Sequence, residues 1–205
     1  DDLKKRCHQC RKPAPRTDEE DIRRLREWVE KGEAWAQTMM AACYRDGDDG
    51  LKQSYVMARM LFEKAVAQGD PDATFNLALL YENGQGVAQS DEKTVELYTM
   101  AAERGSVNAM FNLGNGYRDG KGVAQSFKKA VELYTMAAEQ GNVKAMIGLG
   151  VRYFQGQGVA QSNELAREWL TKAANKGHES AIKALTCKLL DELEGKPTTA
   201  PPTTT

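Results

Sequence analysis

The tetrapeptide Val-Ala-Gln-Ser stands at residues 87–90 and returns at 123–126 and 159–162, each time 36 residues on. A fixed period of roughly 20–50 residues means that one small structural unit is copied and stacked. Stacked units lean only on their neighbours and build extended surfaces rather than deep pockets. Function in such a chain is first a question about surfaces and partners.

One unit spans 69–104, and two more span 105–140 and 141–176. A looser copy, 32–68, carries one extra residue in the Asp46-Gly47-Asp48-Asp49-Gly50 loop. A half copy starts at Gly177 and fades after Leu190, and residues 22–31 read as the second half of another copy.

Each unit reads as two helices. Asp70, Ser106, Asn142 and His178 stand where the first helix opens. Asp, Ser and Asn satisfy the orphan N–H groups of a helix start best, and Pro71 suits the first helical position. Ala73, Leu77, Ala78 and Tyr81 recur as Ala109, Leu113, Gly114 and Tyr117, then as Ala145, Leu149, Gly150 and Tyr153. Spacings of three and four put each set on one helical face. Gly84, Gly120 and Gly156 stop the helix, and Val87, Val123 and Val159 are expected to pin the loop to the core. The second helix starts near Ser90, Ser126 or Ser162. It carries Leu97, Tyr98 and Ala101-Ala102, then Leu133, Tyr134 and Ala137-Ala138, then Trp169, Leu170 and Ala173-Ala174. No segment alternates with period two, so no sheet is expected.

The Ala-x-x-x-Leu-Gly/Ala-x-x-Tyr core, the Gly-x-Gly-Val loop and the Ala-Ala-x-x-Gly close resemble the Sel1-like repeat family from residue 32 to about residue 190. The resemblance implies an all-α, right-handed solenoid of antiparallel helix pairs, akin to tetratricopeptide arrays. About four repeats lie between terminal capping helices. It also implies an adaptor that holds protein partners. Thr17-x-x-Glu20 reads as a capping box, and Ile22, Leu25 and Val29 give the following helix an apolar stripe to close the open end. The domain organisation is therefore an arm at 1–16, a solenoid at 17–194 and a tail at 195–205. The tail has no apolar side chain larger than Ala or Pro and reads as disordered.

With a net charge of −1 the chain offers no bulk attraction to nucleic acid. No run of 18 apolar residues spans a membrane, and no signal peptide is visible. Some Sel1-like proteins staple each repeat with a disulfide, but no cysteine recurs here at the period. Cys43 and Cys187 lie three repeats apart, with helix layers of roughly 8–10 Å each between them. A disulfide tolerates Cα atoms at most about 7 Å apart, so both are expected to be buried thiols in a reducing, cytoplasmic compartment.

The arm reads differently. Cys7-x-x-Cys10, with basic residues around it and Pro13 after it, has the spacing of a zinc-binding pair and resembles the closing pair of a RING finger. A structural zinc takes four ligands; Cys7 and Cys10 supply two, His8 cannot easily face the same ion, and His178 is far along the solenoid. Zinc is therefore expected only if sequence upstream completes the site, and the repeats are expected to hold no cofactor. A RING remnant, a plain arm and a redox pair stay open, although the redox reading lacks a βαβ context. The arm's charge of +4 over residues 1–16 comes without an aromatic to stack on a base.

Enzymatic signatures are missing. The Gly84-x-Gly86, Gly120-x-Gly122 and Gly156-x-Gly158 pairs lack the third glycine and the preceding strand of a dinucleotide loop, and Gly120-Lys121-Gly122 lacks the Ser/Thr of a P-loop. The histidines are His8 and His178 only; the latter occupies a capping position. No catalytic residues are assigned.

In tetratricopeptide-like stacks the first helix of each unit lines the concave side. The resemblance carries that geometry to Trp35, Thr38 and Arg45; to Asp72, Phe75, Leu79 and Glu82; to Asn108, Phe111, Asn115 and Arg118; and to Lys144, Ile147, Val151 and Phe154. Phe75, Phe111 and Ile147 recur at the period and form either an apolar strip for a partner or packing between neighbouring units. The expected function is a non-enzymatic scaffold binding other proteins or peptide segments, with no nucleic acid or membrane as partner. The alternative is the substrate-recruiting region of a RING-type ubiquitin ligase.

Overall fold

The computed structural model describes residues 18–176. Its helices are α1 (Asp18–Glu30), α2 (Ala34–Asp46), α3 (Tyr55–Ala67), α4 (Pro71–Asn83), α5 (Asp91–Glu103), α6 (Val107–Asp119), α7 (Phe127–Glu139), α8 (Val143–Gln155) and α9 (Asn163–Lys176). No strand occurs among the described residues. Each helix packs chiefly on the ones before and after it, so α2/α3, α4/α5, α6/α7 and α8/α9 form four hairpins stacked in series. The result is an all-α solenoid with α1 against its first hairpin. Thr17, His178, Cys187, the half repeat after 176 and the tail lie outside the described residues.

Three of the four letters of the repeated tetrapeptide have a visible physical role. Val87 and Val159 are half-buried against the core. Gln89, Gln125 and Gln161 each turn a side-chain amide back onto the carbonyl of Glu82, Arg118 and Phe154, at 3.0, 2.7 and 2.8 Å. Those carbonyls belong to the last turn of the first helix, where no intrahelical donor remains. The backbone N–H of Ser90, Ser126 and Ser162 donates to the carbonyl of Tyr81, Tyr117 and Tyr153. The serine hydroxyls then cap the second helix, accepting from the N–H of Lys93, Lys129 and Leu165. Asp70, Ser106 and Asn142 cap the first helices in the same way, accepting from Ala73, Ala109 and Ala145.

The paired glycines divide two tasks. Gly84, Gly120 and Gly156 end the first helices in the left-handed conformation, with φ of 66, 70 and 66°. The second glycine joins the repeats: a Cβ on Gly122 would lie 2.2 Å from the carbonyl oxygen of Asp91, the first residue of the preceding repeat's second helix. Gly86 and Gly158 meet Tyr55 and Phe127 in the same manner.

Ala73, Leu77 and Ala78, and their counterparts in the next two repeats, are buried as their spacing predicts. Tyr81, Tyr117 and Tyr153 are half-buried at the margin. Gly114 lets Tyr134 lie on the first helix, since a Cβ there would sit 2.7 Å from the tyrosine ring. In α1, Ile22 and Leu25 are buried, and Trp28 meets Trp35 of α2 at 5.9 Å between ring centroids.

Candidate functional site

The first helices share one face. Phe75 of α4, Asn108, Phe111 and Asn112 of α6, and Asn142 and Lys144 at the start of α8 line one open groove of about 420 Å³. Phe75 leans on Tyr98 and Phe111 on Tyr134, each at 5.7 Å between centroids. One side of each phenylalanine thus packs on its own repeat, while each ring is half-buried and lines the groove. The strip is packing and surface at once.

Behind the strip the two tyrosines carry a polar layer. Tyr98 is buried along its ring, and its hydroxyl donates to Glu82 Oε2 at 2.7 Å and accepts from Asn112 Nδ2 at 2.9 Å. A single phenol thereby ties α4, α5 and α6 together. Burial, and then the Glu82 carboxylate, push the Tyr98 phenol well above its ordinary value. One repeat on, Tyr134 donates to Asn115 Oδ1 at 2.7 Å, and Arg118 donates to the same oxygen at 3.2 Å. Arg118 also grips Asp119 with two donors at 2.7 and 2.6 Å. The guanidinium holds the Asp119 carboxyl below its usual range.

A smaller cavity of about 210 Å³ opens where repeats two and three meet, walled by Glu82, Asp91, Tyr98, Asn112, Gly116 and Arg118, among others. At the next junction Arg152 of α8 is half-buried. Its guanidinium lies 5.6 Å from the Phe127 ring centre and donates to Gln157. Burial lowers the affinity of Arg152 for its proton.

The structure brings Phe75 and Phe111 into one groove, and Asn115 and Arg118 into one network. Ile147 is half-buried one repeat further along. Trp35 and Phe154 stand apart from them: Trp35 spends one side on Trp28, and Phe154 occupies the last turn of α8, half-buried. Sequence reasoning placed Tyr98 and Tyr134 among the apolar positions and missed their hydroxyls, along with Asn112 and Arg152. The available signal was chemical: a buried phenol needs a hydrogen-bond partner, and the first helices of the flanking repeats supply polar residues in reach.

Cys7, His8 and Cys10 lie outside the described residues. No group of three or more His, Cys, Asp or Glu side chains is placed to hold a metal ion among the described residues. Cys43 is buried, and its thiol donates to Asp49 Oδ2 at 3.2 Å. No described helix is long and apolar enough to cross a membrane.

The Sel1 repeat description matches residues 36–70, 71–106, 107–142 and 143–178. This frame starts a few residues later than the sequence frame of 32–68 and its successors. Among solved structures, a protective antigen with an SLR fold from uropathogenic Escherichia coli is 34% identical over 84% of this chain and 36% of its own, with a TM-score of 0.78. A Sel1 repeat protein from Oxalobacter formigenes is 28% identical over 78% of this chain and 63% of its own, with a TM-score of 0.73. The chain thus spans only part of the length of either. An immunity protein from Pseudomonas aeruginosa is 26% identical over 71% of this chain and 54% of its own, with a TM-score of 0.52. No curated protein matches the chain. None of these likenesses supports a RING-type reading of Cys7 and Cys10. Four tandem matches covering most of the sequence, on a solenoid of four matching hairpins, show that the chain belongs to the Sel1 repeat family.

Proposed function

We propose that this chain is a non-catalytic scaffold that holds an extended segment of another protein across its first-helix face. The observation that carries the reading is the groove over α4, α6 and α8. It presents one phenylalanine from each of two successive repeats, Phe75 and Phe111, with the amides of Asn108, Asn112 and Asn142 beside them. Aromatic side chains supply contact area at low entropic cost, as interface anchors do. Side-chain amides both donate and accept, which suits a polypeptide backbone laid in extended form. Ile147 stands one period after Phe111 and would continue the apolar line into the fourth repeat, Trp35 and Phe154 would add contact area apart from the groove, and Asn115 with Arg118 would supply polar anchors. The partner is another protein or a peptide segment. We place this work in the cytoplasm, because no cysteine recurs at the repeat period to staple the units.

The test is affinity capture with Phe111→Asp and Arg118→Glu variants whose helical content and unfolding midpoint match the parent. Phe111→Asp should abolish capture of partners that the parent retains, and Arg118→Glu should weaken it. If both variants hold every partner as the parent does, the groove is not the binding face.

A further inference from the structure

The repeat period allows each junction between units to be compared with the next, position by position. Where repeats two and three meet, the cavity is walled by Gly116, Asp91, Glu82 and Tyr98. One period later those positions are Arg152, Phe127, Arg118 and Tyr134. At that later junction the chain supplies its own guanidinium, set against the Phe127 ring and within electrostatic reach of Tyr134 and Arg118. Arg118 is a like charge and opposes Arg152 there.

The earlier junction inverts this arrangement. Gly116 has no side chain to place in the cavity. The residue opposite is a carboxylate, Asp91, instead of an aromatic ring. The like charge of Arg118 is replaced by the opposite charge of Glu82. Asp91 and Glu82 are both half-buried, and neither has an ion-pair partner among the described residues. The Glu82 carboxylate accepts the Tyr98 hydroxyl and no other side-chain donor among the described residues. Of the basic groups in the wall, Arg118 is paired with Asp119, while Lys121 makes no ion pair among the described residues and lies within electrostatic reach of Asp119, which also lines the cavity.

We propose that this cavity receives the guanidinium of an arginine side chain from the bound partner, placed beside Asp91 and Glu82 in the position that Arg152 takes against Phe127 one repeat on. The inference rests on the scaffold reading and adds the chemistry of one residue in the partner segment. A planar guanidinium carries five donors in a fixed fork and can serve two carboxylates at once. The cavity and the groove share Asn112, so a segment lying on Phe75 and Phe111 passes the cavity mouth.

The experiment uses the full chain and N-acetyl-arginine-N-methylamide, followed by amide chemical shifts. The expected result is saturable shifts at Asp91, Tyr98 and Gly116, with an affinity of about millimolar for so small a ligand. The citrulline derivative, close in shape but neutral, should bind at least about tenfold more weakly. Asp91→Asn and Glu82→Gln should each weaken the arginine probe several-fold. Gly116→Arg should abolish its binding, because the new side chain takes the place that Arg152 takes one repeat on. A Cβ at Gly116 meets its nearest neighbours at 3.5 and 3.6 Å, ordinary contact, so that variant is expected to fold. Should it not fold, the two carboxylate variants decide. Equal binding of the citrulline derivative, or unchanged binding in the carboxylate variants, overturns the proposal. So does the absence of shifts up to about 50 mM probe. Free arginine binding tenfold more tightly than the capped probe also overturns it, in favour of a small-molecule site. Phe111→Asp separates the two readings, since Phe111 does not line the cavity: it should spare the probe while removing partner capture. Loss of capture in Phe111→Asp, with no arginine response in the parent, would leave the scaffold standing and remove the arginine.

Discussion

Gly122→Ala tests how the repeats are joined. Gly122 has φ of 66°, and an added Cβ would lie 2.2 Å from the Asp91 carbonyl oxygen and 2.5 Å from its carbonyl carbon. Two costs follow. The left-handed conformation costs a residue with a Cβ about 1–2 kcal/mol. The collision is with backbone at a helix start and cannot be relieved by a rotamer change, so overpacking adds about 1–3 kcal/mol. The total is about 2–5 kcal/mol. Gly105→Ala is the internal control: its φ is 89°, but nothing lies within 4 Å of the built Cβ. It should carry only the conformational cost of about 1–2 kcal/mol. Any stiffening of the unfolded chain by alanine applies equally to both and cancels in the difference. Urea unfolding followed by circular dichroism, with linear extrapolation, measures the two losses. Gly122→Ala should exceed Gly105→Ala by about 1–3 kcal/mol, the collision cost alone. Because Asp91 belongs to the preceding repeat, Gly122→Ala should also broaden the transition as coupling between repeats weakens. Losses equal within about 0.5 kcal/mol, the size of an ordinary surface effect, would refute the view that the second glycine is a contact between units.

Leu149→Ala should cost about 2–5 kcal/mol in the same titration, because Leu149 is fully buried between helices. Ser126→Ala removes the hydroxyl that accepts from Lys129 N–H and should cost about 1 kcal/mol. Tyr98→Phe deprives Glu82 and Asn112 of their shared hydroxyl and should cost about 1–3 kcal/mol; both are half-exposed, which favours the low end. Burial raises the Tyr98 and Tyr134 phenols above their ordinary value of 10.0. The folded chain therefore keeps protons that the unfolded chain gives up. The stability they confer is complete below about pH 10 and is lost as pH rises towards the folded values. Unfolding free energy measured between pH 9 and 11.5 should fall with pH, and should fall less in Tyr98→Phe; an identical slope in the two proteins would contradict the linkage.

The helices, caps and turns were legible because each is a local rule repeated. Asp70 before Pro71 announces a helix start by itself, and Gly84, Gly120 and Gly156 announce its end. Leu77, Leu113 and Leu149 read as core because spacings of three and four select one face. What the sequence concealed depends on neighbours seven or more positions away, on another helix or across a turn. Tyr98 reads as one more apolar residue on α5 until its hydroxyl meets Glu82 and Asn112 from two other helices. The glutamine of Val-Ala-Gln-Ser looks like a solvated loop residue until its amide is seen closing the previous helix. Trp35 was placed on the binding face by its register, but that register does not reveal Trp28 beside it. Phe75 and Phe111 were left between packing and exposure because a ring on a helix margin has two sides, and a one-dimensional pattern assigns only one.

The same period that fixes the fold also shows where the copies are allowed to differ. Met40, Leu77, Leu113 and Leu149 occupy one position in four repeats, all apolar and all buried. Arg45, Glu82, Arg118 and Phe154 occupy another, on the first-helix face, and run positive, negative, positive and apolar. A buried position answers to its two neighbouring units, whose shape is set by the repeat, so it varies little in character. A surface position near a junction answers to whatever lies across it. Arg45 and Arg118 are each held by the next residue, Asp46 and Asp119, at 2.6 Å, and Arg45 also reaches Asn76 in the following repeat. Glu82 is followed by Asn83, which offers no charge, and Asn83 donates instead to the backbone of Leu79. The second repeat therefore breaks the charge pairing of the first and third at the place where Gly116 leaves space and Asp91 adds a further carboxylate. Three departures from the repeat, at residues 82, 91 and 116, fall around one cavity, and each favours a cation entering it.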